Sequence, residues 1–194
     1  MTLALEPQFK IDLLQVLNSH NLGWVDGDRE PGNQPKADLL NKELRVAIEI
    51  KDNKKYKLEL PKTEGIIVSS GGSLKGMNET LSNCLVSAFR KFKGYPDFRT
   101  ILLIRSEFFP AGILARAIMG IYNYQFDSMG RVSSVYRTGK YSPYIRKFIG
   151  GFCLAIESKY YYWENYDGDE KRIVSQNDIE KILGTKAINP LIKK

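Results

Sequence analysis

Residues 35–51 read PKADLLNKELRVAIEIK, and this stretch decides the predicted fold. The apolar segments Ala37–Leu40 and Leu44–Ile50 are separated by three polar residues, a pattern typical of a β-hairpin. Because side chains alternate between the two faces of a strand, Glu49 and Lys51 are expected to lie side by side on one face. The hairpin is therefore expected to supply the predicted sheet with apolar core residues and with one charged pair.

The segments on either side of this hairpin predict the rest of a core. Apolar residues at helical spacing predict a first helix over about residues 7–18 and a second helix that ends near Phe92. The continuous apolar run Thr100–Arg105 is typical of a strand that is buried on both faces. Strand, helix and strand in this order imply a crossover connection and a mixed sheet.

Further elements complete the prediction of one α/β (α+β) domain over residues 1–194, with a central mixed β-sheet flanked by helices. The core spans about residues 7–105, and the C-terminal half adds helices, strands and a basic loop region. The added predictions are an extended segment at Gly65–Ser70, a helix after Pro110, strands near Gly151–Glu157 and Tyr160–Glu164, a hairpin turn at Asp167-Gly168 and a last helix from about Asn177 to Leu183.

Composition narrows the classes of function. No window approaches 18 uncharged apolar residues and the N-terminus does not resemble a signal peptide, so we expect no membrane association and a cytoplasmic location. Cys84 and Cys153 sit in apolar surroundings, as buried free thiols do in a reducing compartment. His20 is the single histidine, which excludes chemistry that needs two. A net charge of +7 favours polyanionic partners.

The charged residues of the hairpin suggest phosphodiester hydrolysis. Ten residues separate Asp38 from Glu49, and pairing within the hairpin can bring both carboxylates and the Lys51 ammonium to one point. Carboxylate oxygens, with the Ile50 carbonyl as a further ligand, can hold Mg²⁺, which activates a bound water. A neighbouring lysine can position or deprotonate that water and offset charge on the phosphate. Alternatively, Glu49 and Lys51 form a surface ion pair on an edge strand.

The run Pro35-Lys36-Ala37-Asp38, ten residues, then Glu49-Ile50-Lys51 resembles the PD-(D/E)XK nuclease superfamily, which includes restriction endonucleases, junction resolvases and repair nucleases. The resemblance implies a restriction-endonuclease-like core of helix, three-stranded meander, helix and strand. It also implies a DNA endonuclease that works as a homodimer, with Asp38 and Glu49 as ligands of Mg²⁺ (or Mn²⁺ in its place) and Lys51 as the catalytic lysine. The superfamily often adds a glutamate from the first helix, for which Glu6 and Asp12 are the candidates. The place of Glu6 beside Pro7 favours a helix-cap role.

A basic segment is the predicted site of DNA binding. Residues 128–154 contain no acidic side chain, and their arginines, lysines and tyrosines could contact phosphates. A glycine-rich stretch before the second helix adds Lys75. The predicted DNA-binding residues are Lys75, Arg131, Arg137, Lys140, Tyr141, Arg146 and Lys147.

Other classes of function remain open on the sequence. The chain could be a nucleic-acid-binding protein on the same fold without catalysis, or an interaction protein whose basic surface is incidental. Metal binding through Asp38 and Glu49 would separate the nuclease from both alternatives. DNA binding without metal would separate the non-catalytic nucleic-acid-binding protein from the interaction protein.

Overall fold

The structure is a computed structural model that describes residues 5–21, 23–52, 74–106, 111–119, 123–126, 128–129, 131–136, 143–156 and 158–191. The helices are α1 (Leu5–His20), α2 (Leu74–Phe92), α3 (Ala111–Ile118), α4 (Pro143–Arg146) and α5 (Gln176–Leu183). The strands are β1 (Trp24–Asp26), β2 (Leu39–Asn41), β3 (Val46–Asp52), β4 (Arg99–Arg105), β5 (Asn123–Phe126), β6 (Val132–Tyr136), β7 (Gly151–Ile156), β8 (Lys159–Glu164) and β9 (Ala187–Ile188). Short 3₁₀ helices lie at Gly27–Arg29 and Glu170–Arg172.

A seven-stranded mixed sheet organises the described part of the chain, in the order β1-β2-β3-β4-β7-β8-β9. The first three strands form an antiparallel meander, β3, β4 and β7 are parallel, and β8 returns antiparallel to β7. Strands β5 and β6 form a separate antiparallel pair. The prediction of an α/β fold with a central mixed sheet flanked by helices is confirmed.

The hairpin and the crossover predicted around residues 37–105 are also confirmed. Leu39 pairs with Ile48 in the antiparallel β2–β3 ladder, and Glu49 pairs with Leu102 in the parallel β3–β4 ladder. Helix α2 makes the connection between the two parallel strands, as a parallel pair requires. The β4 segment from Thr100 to Ile104 is fully buried, in agreement with its continuous apolar sequence.

The sheet separates two apolar clusters, which are built from alternate residues of the same strands. One cluster packs α2 and α3 against residues such as Ala47, Leu102 and Ile104. The other packs α1 and α5 against residues such as Ile48, Ile50 and Leu103. Each buried aliphatic side chain contributes about 1.5–3 kcal/mol relative to exposure, so this burial on both faces stabilises the central strands strongly.

Several features differ from the sequence-based expectations. Strand β1, at Trp24–Asp26, was not predicted, and neither were the short elements β5, β6, α4 and β9. The hairpin turn predicted at Asp167-Gly168 is wrong, because β8 is followed by a 3₁₀ helix and pairs in parallel with the distant β9. The actual β7–β8 hairpin turns near Ser158, whose φ is 63°. The segment Gly65–Ser70 lies outside the described residues.

Cys84 and Cys153 are free and buried, as expected from their apolar surroundings. His20 is the last residue of α1. Helix α5 begins after the N-cap Ser175, whose hydroxyl accepts a hydrogen bond from the Asp178 N–H. Within the described ranges, no helix combines the length and the apolar character needed to cross a bilayer.

Candidate active site

Strand β3 places the predicted acid and lysine on the same face of the sheet. Glu49 and Lys51 alternate with Ile50 and face the α2 side, where Ala47 of the same strand also packs. The Glu49 side chain is 0% exposed, whereas that of Lys51 is 20% exposed. The Nζ atom of Lys51 lies 2.6 Å from Oε1 of Glu49. Full burial of Glu49 contradicts the alternative of a surface ion pair on an edge strand, because β3 is an internal strand between β2 and β4.

Asp38 is brought to this face by backbone contacts at the start of β2. Its Oδ2 accepts a 2.7 Å hydrogen bond from the N–H of Ile50. Its carbonyl oxygen accepts a 2.9 Å hydrogen bond from the N–H of Gly27, and the preceding residue, Ala37, donates its N–H to the hydroxyl of Tyr95 at 3.3 Å. The predicted convergence of Asp38 with Glu49 and Lys51 is therefore present in the structure.

The approach of Gly27 to this segment is too close for any side chain. A Cβ atom at position 27 would lie 1.9 Å from the carbonyl oxygen of Ala37. The glycine therefore allows the chain after β1 to hold the backbone of Asp38 directly.

The site contains a second lysine that was not predicted from the sequence. Lys91, on the last turn of α2, places its Nζ 3.1 Å from Oδ1 of Asp38 and 2.8 Å from Oε2 of Glu49. A signal for it existed, because Lys91 follows Ala88 by three residues and Cys84 by seven, so helical spacing puts it beside the buried stripe of α2. A lysine at that position of an inward-facing stripe requires an acidic partner.

Both carboxylate oxygens of Glu49 are paired with an ammonium nitrogen. Oε1 lies 2.6 Å from Nζ of Lys51, and Oε2 lies 2.8 Å from Nζ of Lys91. Burial raises the pKa of the Glu49 carboxyl from 4.5 to about 7, and repulsion by Asp38 adds to this effect. The ammonium groups of Lys51 and Lys91 oppose the increase without cancelling it.

In the same cluster the charged form of Lys91 is favoured, whereas the charged form of Glu49 is disfavoured. Burial disfavours its charged form, but attraction by Glu49 and Asp38 outweighs burial, and the pKa of Lys91 is raised above 10.5. Lys91 is therefore a cation at neutral pH. The site combines two carboxyl groups and two ammonium groups in a largely buried space on the α2 side of the sheet.

The described residues offer a small set of oxygen ligands for a metal ion. Within the ranges that the structure describes, no group of three or more His, Cys, Asp or Glu side chains converges. Asp38 and Glu49 are thus a pair of carboxylates. The N–H of Ile50 points toward Asp38, and in an extended strand the N–H and C=O of one residue point the same way, so the Ile50 carbonyl faces that side too.

Five of the residues predicted to bind metal or DNA have side chains outside the part of the chain that the structure describes. The side chains of Glu6 and Lys75 lie outside the described part of the chain, as do Arg137, Lys140 and Tyr141. Arg131 is described and exposed.

Arg146 and Lys147, at the end of α4, differ in their availability. Arg146 is largely buried, pairs with Asp167 at 3.0 Å and donates to the Met119 carbonyl at 3.4 Å, so it acts inside the fold. Lys147 is exposed. It borders a cavity of about 390 Å³ whose lining is Tyr144, Lys147, Phe148, Gly168, Asp169 and Arg172.

This cavity adjoins the C-terminal end of α2. The buried Arg172 donates hydrogen bonds to the carbonyls of Phe92 and Tyr95, at 3.4 and 3.2 Å, and its guanidinium lies 5.0 Å from the Phe148 ring centroid. Carbonyl groups at the end of a helix attract a cation. Arg172 thus fixes the end of the helix that carries Lys91.

Comparison with known proteins adds no relative to these observations: the chain matches no family model, no curated protein sequence and no solved structure. Function must therefore be argued from the site itself.

Proposed function

We propose that this protein is a divalent-metal-dependent endonuclease that hydrolyses DNA phosphodiester bonds. The observation that carries the proposal is the convergence of two carboxyl groups, the fully buried Glu49 and the largely buried Asp38, both in contact with the Lys91 ammonium. Bringing two carboxylates together in a buried space is costly unless cations offset their charge. Such a pair is retained most simply when it binds a cation that the reaction needs.

The donor set fits Mg²⁺, with Mn²⁺ as a substitute. Mg²⁺ prefers oxygen ligands and is commonly held by one or two carboxylates, with waters and substrate phosphate in its other positions. Asp38 and Glu49 would supply the carboxylates, and the Ile50 carbonyl would be a further ligand. Two carboxylates without histidine suit this hard cation better than zinc, which favours nitrogen and sulfur ligands.

The order of elements around the site supports the same proposal. Helix α1 precedes an antiparallel meander of β1, β2 and β3, and α2 then leads to β4, which is parallel to β3. This is the order that the resemblance to the PD-(D/E)XK superfamily leads us to expect. Asp38 at the start of β2 and the Glu49-Ile50-Lys51 run on β3 occupy corresponding places in it.

The chain's own residues have distinct roles in the proposed hydrolysis. A bound metal would supply an acidic water and neutralise charge on the phosphate. Asp38 is fixed through its Oδ2 by Ile50, so its position is set before any ligand arrives. Lys51 lies beside Glu49 and is partly exposed, so its ammonium would stabilise negative charge that develops on the phosphate oxygens.

The basic surface supports DNA as the substrate. Net charge is +7, and exposed Arg131 and Lys147 belong to the segment without acidic residues. Lysine and arginine neutralise backbone phosphates without reading sequence. A homodimer would provide two sites for two strands, and the free buried thiols suit the reducing intracellular location that we propose with it.

One observation favours a second candidate, a non-catalytic nucleic-acid-binding protein on the same fold. Lys91 already offsets the charge of both Asp38 and Glu49, so the cluster is electrostatically satisfied without a metal. On this alternative the cluster stabilises the fold, and the basic surface alone accounts for function.

A cleavage assay separates the two candidates. Supercoiled plasmid and branched DNA are incubated with Mg²⁺ or Mn²⁺ and with the native protein, Asp38→Ala, Lys51→Ala or the exposed control Lys93→Ala. We expect the native protein and the control to cut, and the two site variants to be at least ~100-fold slower, as when a catalytic electrostatic contact is removed. Equal cleavage by all four proteins, or none by the native protein, would reject the nuclease.

A further inference from the structure

Lys91 lies where a cation shared by the two carboxylates would lie. Its Nζ is 3.1 Å from Oδ1 of Asp38 and 2.8 Å from Oε2 of Glu49. The Asp38 oxygen that faces Lys91 is the one not used by Ile50, whose N–H binds Oδ2. The same two oxygens are therefore the ones available for joint coordination.

An ammonium and a metal ion cannot occupy this position together. Mg²⁺ requires oxygen ligands at about 2.0–2.1 Å, so an ion between these carboxylates would fall on or against the Lys91 nitrogen. Repulsion between the two cations adds to the lack of space. Either Lys91 holds the carboxylates or the metal does.

We propose that Lys91 is an internal counter-ion that occupies the metal position in the metal-free protein and must withdraw before a divalent cation binds. This inference rests on the proposed function, because it takes Asp38 and Glu49 as the metal ligands. It adds a control on metal affinity that those two ligands alone would not provide.

Lys91 stabilises the metal-free site at the expense of metal binding. If neither Lys91 nor a metal ion were present, the buried Glu49 would lie beside a second carboxylate, with Lys51 on its other oxygen as its remaining described ion-pair partner. Removing one partner of a buried ion pair is strongly destabilising. The interaction that stabilises the free protein must be broken when metal enters, so it reduces the apparent metal affinity.

The surroundings allow the Lys91 side chain to move while its helix stays in place. The lysine is 23% exposed and has a flexible four-carbon stem. Its neighbour Phe92 is fully buried, and Arg172 binds the Phe92 and Tyr95 carbonyls. Withdrawal therefore needs a change of side-chain rotamer and no movement of α2.

The test is calorimetric titration of Mn²⁺, without DNA, into the full-length protein and two variants. Lys91→Met removes the ammonium, and Lys93→Met removes an exposed ammonium two residues away, which keeps net charge matched. We expect Lys91→Met to bind Mn²⁺ on the order of 10-fold more tightly than the native protein, within the usual range of coupling between sites. Lys93→Met should bind as the native protein does.

Thermal unfolding provides a second readout. In EDTA, Lys91→Met should unfold at a lower temperature than the native protein, and saturating Mn²⁺ should raise its unfolding temperature by more than it raises that of the native protein. If Lys91→Met does not fold, Lys91→Gln, which removes the charge and keeps a polar side chain, replaces it in both measurements.

The outcomes distinguish the inference from the proposed function. If the native protein binds Mn²⁺ through Asp38 and Glu49 and cleaves DNA, but the Lys91 variants bind with unchanged or weaker affinity, the counter-ion role is wrong and the nuclease stands. If neither the native protein nor the Lys91 variants bind Mn²⁺ at millimolar concentration, both are wrong.

Discussion

The backbone N–H of Ile50 donates a 2.7 Å hydrogen bond to Oδ2 of Asp38, and this contact joins the start of β2 to the centre of the candidate site. It leaves Oδ1 of Asp38 to face Lys91 and the buried Glu49. The orientation of one carboxylate is thus set by the backbone of the strand that carries the other.

Asp38→Asn should weaken metal binding at a moderate cost in stability. The amide oxygen can still accept the Ile50 hydrogen bond, but the amide nitrogen then replaces Oδ1 opposite the Lys91 ammonium, so we expect the free energy of unfolding to fall by about 1–3 kcal/mol. Loss of one negative charge should lower Mn²⁺ affinity at least ~10-fold, which calorimetry measures directly. The exposed Asp97→Asn is the control, and equal Mn²⁺ affinity in both variants would show that Asp38 is not a ligand.

The pH dependence of stability, measured in EDTA, should reveal the raised pKa of Glu49. Between its ordinary pKa of 4.5 and its folded pKa of about 7, the unfolded chain releases the Glu49 proton while the folded chain keeps it. Stability contributed by this group therefore falls as pH rises through that window, by roughly 3 kcal/mol in total.

Glu49→Gln removes this titrating carboxyl group. The free energy of unfolding of the variant, measured in urea, should therefore decline less steeply from about pH 5 to pH 8 than that of the native protein. The slopes are compared, because the substitution also changes the contacts with Lys51 and Lys91 at every pH. Glu43→Gln, at an exposed position, should follow the native curve. Parallel curves for the native protein and Glu49→Gln would contradict the raised pKa.

Gly27→Ala should damage the site from outside it. The added Cβ would meet the Ala37 carbonyl oxygen at 1.9 Å, so the backbone that positions Asp38 must move. We expect a loss of about 2–4 kcal/mol in chemical denaturation, as in other severe backbone or packing conflicts, together with weaker Mn²⁺ binding. Gly112→Ala in α3 meets nothing within 4 Å and should be neutral or stabilising. Similar losses in both variants would show that the close approach at Gly27 is unimportant.

Lys147→Ala should weaken DNA binding without affecting the metal site. Lys147 is exposed beside the cavity at the end of α2, on the same side of the sheet as Glu49. Loss of one phosphate contact should lower affinity for all DNA sequences and reduce the slope of log K against log salt by about 1. Lys181 on α5 is exposed on the opposite side of the sheet, so Lys181→Ala should bind as the native protein does. Equal effects of the two variants would place the DNA elsewhere.

Much of the fold could be predicted from the sequence because its signals are local. The hairpin around residues 37–50 and the stripe of α2 each show the period of their own element, and β4 is a short continuous apolar run. The shared face of Glu49 and Lys51 follows from the same rule, since it needs nothing beyond strand alternation.

Other features depend on partners that are distant along the chain. Strand β1 has three residues, too few to show a period, and exists through its pairing with β2. The hairpin expected at Asp167-Gly168 failed because β8 pairs with β9, which comes after another helix. A local turn signal carries no information about which strand will be the neighbour.

The sequence by itself determined the chemistry of the site: two carboxylates and a lysine on a β-hairpin, of which Glu49 and Lys51 must share a face. The tertiary structure decided that Glu49 is fully buried, that Ile50 fixes Asp38, and that Lys91 from α2 bridges both acids. The burial of Glu49 and its contact with Lys91 arise from packing α2 across the sheet, and the Ile50–Asp38 contact arises from the pairing of β2 with β3. Helical and strand periods set which way a side chain faces, but not what it meets there.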